Sequence, residues 1–337
     1  MTQKQRIDAF VALGKVLASH SHKMDAVLRE ASIKNPWYTI ENTKRQFIAL
    51  SSNLTEEKLR QWLVPYPDTP TDKVVGLILA GNIPLVGFHD ILCVLISGFR
   101  VQLKLSSDDA GLTNFVLQEL IEIEPAFVEK IQIVDRLQQY DLIIATGSDN
   151  SSRYFDYYFG KKPNIIRKNR NSLAILTGQE SPSQLKALGH DIFDYFGLGC
   201  RSVSKLYIPH GYDINQFFEA IEDFNTIKQH YKYTNNYDYN KSIYLINGDK
   251  HFDNGFLLLK EDARLTSPLA TVFYEEYEHL DGVISQLETK ADKIQCIATE
   301  ATIETAIPAF PLGGSQCPSL TDYADGVDVM AFLSEKK

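Results

Sequence analysis

Val74-Val75-Gly76-Leu77-Ile78-Leu79-Ala80-Gly81-Asn82-Ile83-Pro84-Leu85 is an apolar run of strand length that breaks at Gly-Asn-x-Pro and opens into a helix-like stretch ending near Gly98. A second run, Arg100-Val101-Gln102-Leu103-Lys104-Leu105-Ser106-Ser107-Asp108-Asp109, alternates as a strand and delivers a lysine and two serines to its C-terminal end. A third, Asp141-Leu142-Ile143-Ile144-Ala145-Thr146-Gly147-Ser148, stops in Gly-Ser before a helix-compatible stretch. Each places polar groups just beyond a strand end, which is where open α/β sheets bind ligands.

Outward from these runs the elements alternate. Periodicity predicts helices over 2–28, 56–63, 87–97, 110–121, 148–158, 183–195, 214–232 and 282–289. Strands are expected over 74–80, 101–105, 131–134, 142–145, 173–176, 203–208, 255–259, 270–274 and 294–298. Such alternation implies an α/β fold with mostly parallel sheets. The polar, basic stretch 163–171 precedes a restart of the apolar pattern and suggests a boundary near Asn171. Residues 231–244, rich in Tyr and Asn without clear periodicity, read as a loop or irregular helix edge.

The 337 residues, 44% hydrophobic and 23% charged, suffice for two domains. A net charge of -9 argues against a nucleic-acid partner, because tracking phosphates needs a basic surplus. The uncharged apolar stretch 74–88 is shorter than the roughly 20 residues of a membrane span. The amphipathic start lacks the apolar core of a signal peptide. Four cysteines, at 93, 200, 296 and 317, form no CxxC pair and suggest a reduced, cytoplasmic setting. Eight histidines show no metal-ligand spacing; His89, near Asn82, reads most simply as a packed, hydrogen-bonded histidine.

Cys200 stands apart, in Gly197-Leu198-Gly199-Cys200-Arg201-Ser202-Val203-Ser204, where small neighbours leave room for a carbonyl to approach a thiolate. A lone cysteine is by itself more often packing than chemistry, and Asn82 alone reads as turn chemistry. Their order changes the balance. Gly81-Asn82-Ile83-Pro84, Lys104-x-Ser106-Ser107, Thr146-Gly147-Ser148 and Gly197-x-Gly-Cys200 together resemble the aldehyde dehydrogenase superfamily. With the tail Gln316-Cys317-Pro318-Ser319-Leu320-Thr321-Asp322-Tyr323-Ala324-Asp325-Gly326, they are most similar to the LuxC-like acyl-CoA reductases.

The resemblance implies an aldehyde-dehydrogenase-like α/β fold: a Rossmann-type nicotinamide cofactor domain with an N-terminal helical segment (1–172), an α/β catalytic domain with the nucleophilic cysteine (173–312) and a C-terminal tail (313–337). It implies Cys200 as nucleophile and Asn82 as oxyanion donor. Cofactor binding falls to Lys104, Ser106, Ser107, Gly147, Ser148 and Glu275, with Glu276 as the alternative to Glu275. Ser107 stands where NAD-preferring relatives carry a glutamate, and a hydroxyl can donate to a 2′-phosphate, so NADPH is expected, with NADH as the alternative.

Hydrolytic members of the superfamily carry a general-base glutamate before the nucleophile. Here that region reads Arg167-Lys168-Asn169-Arg170-Asn171-Ser172, without a carboxylate. Reduction of an acyl-CoA or acyl-carrier thioester to a fatty aldehyde through acyl-Cys200 is therefore expected. The basic cluster reads either as a solvated loop or as a site for the donor's phosphates. A protein that donates or activates the acyl group, and an oligomer, are compatible partners. A cysteine-dependent acyltransferase and a non-catalytic aldehyde-dehydrogenase-like paralogue are the alternatives.

Overall fold

The computed structural model describes the chain except His20 and Ser148, together with the side chains of Asp149 and Asn150. The chain divides into two compact units, one formed by Met1–Asn169 with Ser319–Lys337 and the other by Arg170–Pro318.

The first unit is built on β1 (Val74–Ile78), β2 (Arg100–Lys104), β3 (Ile131–Ile133), β4 (Leu142–Thr146) and β5 (Asn164–Arg167). They form one parallel sheet in the order β3-β2-β1-β4-β5. Succession passes from β1 outward through β2 and β3, then returns to β1's other side at β4. That reversal is the topological switch of a doubly wound sheet. The three runs that opened the sequence analysis end at its carboxyl edge.

Helices α1 (Gln3–Ala18), α2 (His22–Lys34), α3 (Ile40–Asn53) and α4 (Glu56–Leu63) share one apolar core with this sheet and with α5 (Phe88–Ile96) and α6 (Leu112–Ile123). The single helix expected over 2–28 is instead two. Ser19 is extended, and the Ser21 side chain accepts the Met24 N–H to start α2. α3 was not anticipated, because only Phe47 represents large apolar residues among its buried positions. Helix α7 (Asp149–Phe159) follows β4.

Residues 319–337 belong to this unit, with Leu320, Tyr323, Val329, Met330 and Leu333 in its core. A chain of hydroxyls holds them. Trp62 Nε1 donates to Tyr323 (2.8 Å), Tyr323 to Tyr66 (3.1 Å), and Tyr66 to Asp328 (2.7 Å), so each buried proton has an acceptor.

The second unit carries β6 (Asn171–Ile175), β7 (Val203–Pro209), β8 (Phe252–Asp253), β9 (Leu258–Glu261), β10 (Thr271–Tyr277), β11 (Ile294–Thr299) and β12 (Ala309–Phe310). Their order is β12-β11-β6-β7-β10-β9-β8, parallel except for β8 against β9. Both faces are covered, as a parallel sheet requires. Ala174, Leu206, Ile208 and Val272 pack with α8 (Pro182–Phe193) and α9 (Ile214–Ala220). The alternate residues Leu173, Ile175 and Tyr207 pack on the other face, against Val283 and Leu287.

The helix expected over 214–232 stops at Ala220 and continues as a 3-10 segment, Glu222–Gln229. The stretch expected as a loop is α10 (Tyr231–Asn247). Its buried residues Tyr233, Tyr237, Asn240 and Tyr244 recur at helical spacing, but three are amphipathic and one is polar. Helix α11 (Leu280–Glu288) completes the unit's helices.

Near its end, α8 buries Asp191 completely. The carboxylate accepts the N–H groups of Gly313 (2.6 Å) and Ser315 (3.0 Å) and the Ser315 hydroxyl (2.6 Å), tying the loop after β12 to the helix. Burial raises its pKa above 3.8 despite these bonds. Asp191→Ala strands two backbone N–H donors and should cost on the order of 3 kcal/mol in urea melts. A raised folded pKa means that Asp191's contribution is complete below about 3.8 and is lost as pH rises through the folded value. The gap between wild type and Asp191→Ala should therefore narrow from pH 4 to pH 7.5; a widening gap would refute this reading.

Candidate functional site

The polar edge of the first unit is built around a missing side chain. Gly81 follows β1, and a Cβ there would lie 2.7 Å from both Cβ and Oγ of Ser106, the residue two past the end of β2. Only glycine lets these two strand ends close on each other. From the other side, the buried Tyr38 hydroxyl reaches the Gly81 carbonyl (2.8 Å) and the Ile83 carbonyl (3.1 Å). Asn82 lies between those two carbonyls, exposed. The expected site residue is thus carried on a turn held from the N-terminal helical segment, where the sequence showed no motif. The Trp37-Tyr38 pair in a short interhelical connection was the available signal.

Lys104 ends β2 and is exposed, its carbonyl accepting the Leu79 N–H (3.2 Å). Ser106 accepts the Asp108 N–H (3.2 Å), and Ser107 is exposed. Asp109, one of two carboxylates beside Ser107, turns inward, where it is buried and accepts Thr113 N–H (3.1 Å) at the start of α6. Gly147 follows β4, and a Cβ there would meet Phe155 at 2.7 Å and Ser151 at 2.9 Å, so α7 packs hard against the strand end. Ser148 lies outside the described residues. Asn82, Lys104, Ser106, Ser107 and Gly147 therefore share one sheet edge.

In the second unit, Tyr195, Phe196 and Gly197 take three successive positive φ angles of 54°, 59° and 76°. Two bulky residues in that region mark a locally costly path, tolerated where the surroundings enforce it. The chain then makes a tight turn closed by Ser202 N–H on the Gly199 carbonyl (3.0 Å), with Cys200 exposed on it. The Ser172 hydroxyl donates to the Cys200 carbonyl (2.9 Å) and the Ser315 hydroxyl lies 3.0 Å from the Arg201 carbonyl. Gln316 Nε2 reaches Ser202 Oγ (3.3 Å), and the Arg201 guanidinium lies over the Phe310 ring at 5.4 Å. Ser172, Asp191 and Ser315 were not identified from sequence. An acid beside the apolar Leu185, Leu188 and Ile192 stripe of α8 was the one legible hint.

Glu275 and Glu276 alternate across β10. Glu275 Oε2 lies 2.5 Å from Nζ of Lys205, whose side chain is fully buried; burial lowers the lysine pKa and Glu275 opposes that shift. Glu276 faces the other way, 2.7 Å from His210 Nδ1. Glu275 is in register with Tyr207, four residues along β7 from Val203. That is roughly 13 Å at about 3.3 Å per residue.

The basic cluster is largely occupied. Arg167 is buried in a two-pronged pair with Asp90, at 2.5 and 2.9 Å. Arg170 reaches the carbonyls of Ala291 (3.5 Å) and Ile294 (3.3 Å). Lys168 stays exposed, 3.9 Å from Asp156. His89 packs at a tilt against Trp62 and Tyr323 and bonds the Leu320 carbonyl through Nε2 (3.1 Å). Cys93 and Cys296 are buried, and desolvation pushes the Cys296 thiol up to about 11; Cys317 is exposed. No group of metal-ligating side chains occurs among the described residues.

The fold matches solved aldehyde dehydrogenases. A NAD-dependent benzaldehyde dehydrogenase from Corynebacterium glutamicum superposes with TM-score 0.67 at 13% identity, covering 94% of this chain and 83% of that one. The aldehyde dehydrogenase KauB from Pseudomonas aeruginosa gives 0.69 at 11% identity, covering 99% and 83%. An NADP-dependent enzyme from E. coli gives 0.69 at 13%, covering 93% and 78%. At such identities the likeness establishes the fold. Among curated protein sequences none matches this chain. The family model for acyl-CoA reductase (LuxC) matches residues 59–233, just over half the chain and the stretch that carries Asn82, Lys104, Gly147 and Cys200, so the chain belongs to the acyl-CoA reductase (LuxC) family.

Proposed function

We propose that this chain reduces acyl thioesters to aldehydes with NADPH, through an acyl group carried on Cys200. The observation that carries the reading is Cys200 itself, exposed on a tight turn between glycine and a strand start. Attack of its thiolate on the thioester carbonyl forms a C–S bond and a tetrahedral oxyanion. The Asn82 amide and the Cys200 N–H are assigned as donors to that oxygen, each worth roughly 3 kcal/mol where charge develops. Collapse expels the donor thiolate and leaves acyl-Cys200.

A reduced nicotinamide supplies hydride to the acyl carbon. The resulting thiohemiacetal anion on Cys200 breaks its C–S bond, releasing aldehyde and the Cys200 thiolate, which takes a proton to return to the thiol. Residues 167–172 contain no carboxylate to activate water, and Arg167 and Arg170 there are engaged elsewhere. This favours reduction over hydrolysis of the acyl-enzyme.

The carboxyl edge of the first sheet fits a dinucleotide. Gly81 lets the ends of β1 and β2 close on each other, Lys104 and Ser107 are exposed beside it, and Gly147 follows β4 across the switch point. Lys104 is assigned to the adenosine ribose, with Ser106 beside it, and Ser107 to a 2′-phosphate. Gly147 and Ser148 are assigned to the pyrophosphate side and Glu275 to the nicotinamide ribose. NADH is the alternative cofactor. The thioester donor is coenzyme A or an acyl carrier, with an acyl-donating protein as a compatible partner. Among the described residues no helix is long and apolar enough to cross a membrane.

Intact-protein mass spectrometry tests the chemistry. Mixing with a panel of acyl-CoAs should give an acyl adduct in wild type and none in Cys200→Ala, and NADPH should remove it with release of aldehyde. An adduct that persists with NADPH would make the protein an acyltransferase. No adduct with any chain length would favour a non-catalytic paralogue.

Cofactor choice is tested by steady-state kinetics. Lys104→Ala should raise the KM for cofactor about 10–100-fold, the loss expected for one hydrogen bond from a charged group. Ser107→Glu should shift preference from NADPH toward NADH; an unchanged ratio would remove Ser107 from the cofactor site.

A further inference from the structure

We infer that Ser172 and Ser315 are positioning residues that clamp the Cys200 turn through two consecutive backbone carbonyls, with Asp191 orienting Ser315. The inference rests on the proposed role of Cys200 and adds the residues that aim it. Ser172, at the start of β6, is fully buried; its hydroxyl bonds the Cys200 carbonyl at 2.9 Å and touches the Cys296 sulfur at 3.1 Å. Ser315, 114 residues beyond Arg201, is also fully buried, and its hydroxyl lies 3.0 Å from the Arg201 carbonyl.

The two contacts fix successive peptide planes. The Cys200 carbonyl lies in the peptide plane that follows Cys200, and the Gly199 carbonyl, held by the Ser202 N–H at 3.0 Å, lies in the plane that precedes it. With both planes held, and the next one held at Arg201, the Cα–Cβ bond of Cys200 has one direction. Cys200 is exposed while Ser202 is buried, so the Cys200 and Arg201 carbonyls turn inward and take protein donors rather than water. Two buried hydroxyls from distant segments at adjacent carbonyls also hold geometry.

Asp191 makes the second contact rigid. Its carboxylate holds the backbone N–H groups of Gly313 and Ser315, so the Ser315 side chain leaves a fixed point. The Ser315 hydroxyl has one hydrogen and two acceptors within reach, Asp191 at 2.6 Å and the Arg201 carbonyl at 3.0 Å, which couples loop and turn in one bond system. Gln316 adds a third tie, to Ser202 at 3.3 Å. A displacement of about 1 Å at a reacting atom can cost around a hundredfold in rate, so a clamp of this kind acts on the reaction step rather than on binding.

The test uses the full chain with Ser172→Ala and Ser315→Ala, each assayed per folded molecule from urea melts of the same samples. Single-turnover acylation of Cys200 by acyl-CoA is followed by mass spectrometry. The maximal rate should fall at least tenfold in each variant while the half-saturating concentration stays within twofold. Alkylation of Cys200 by iodoacetamide, which needs no fixed approach, should stay within twofold. Maximal acylation rates within twofold of wild type, or losses shared equally with alkylation, would overturn the positioning role. Hydrogen exchange across residues 198–203 reads the clamp without the reaction and should rise at least tenfold. Unchanged exchange would overturn the clamp, and a wild type that takes no acyl group would instead defeat the proposed function, leaving exchange to decide the clamp alone.

Discussion

A side chain on Gly81 would lie within 2.7 Å of Ser106, and the polar edge of the first unit follows from that exclusion. Because nothing projects from Gly81, the ends of β1 and β2 can meet, and the Lys104 to Ser107 segment is brought beside Asn82. Tyr38 then fixes the turn from behind by bonding the carbonyls on either side of Asn82. The N-terminal helices therefore act on this edge through one hydroxyl. Asn35 adds a second contact, its amide donating to the Asp108 carbonyl at 2.9 Å.

The second unit solves a similar problem in the same way. Asn82 and Cys200 both sit exposed on turns, and both turns have carbonyls held by buried hydroxyls far away in sequence: Tyr38 for one, Ser172 and Ser315 for the other. Regular ladders cannot reach a turn that must present a side chain to solvent. Side-chain donors can, and rigidity at such turns is what a reacting group requires. The positive φ angles before Cys200 show the same enforcement from the chain itself.

Sequence carried most strands, because parallel strands buried on both faces read as apolar runs, and each of the three leading runs ends in a strand end at the expected edge; it missed the two-residue β8 and β12 and also β5, which lies in the stretch read as a polar, basic boundary. It carried the turns because glycine and proline punctuate them. It did not carry α10, whose buried stripe is written in tyrosine and asparagine, or α3, whose buried stripe holds Asn42, Thr43 and Phe47. Nor did it carry the clamps, since a serine that bonds a carbonyl more than a hundred residues away looks like any other serine. Arg167 shows the converse limit. It read as part of a basic loop, yet its guanidinium is buried against Asp90, a pairing set by contact between α5 and β5 rather than by any local pattern.

Glu275 shows how such unseen partners bear on function. A lysine as buried as Lys205 is costly without a counter-charge, and Glu275 supplies it at 2.5 Å. The carboxylate still has acceptor capacity beyond that contact, and its side chain remains 27% exposed, so serving the lysine does not by itself prevent a second bond to a ribose hydroxyl. It does mean that removing Glu275 strands a buried charge. Any loss of activity on substitution would then combine a folding cost with a binding cost. Cofactor affinity compared at fixed stability separates the two, because the first role follows from the fold alone.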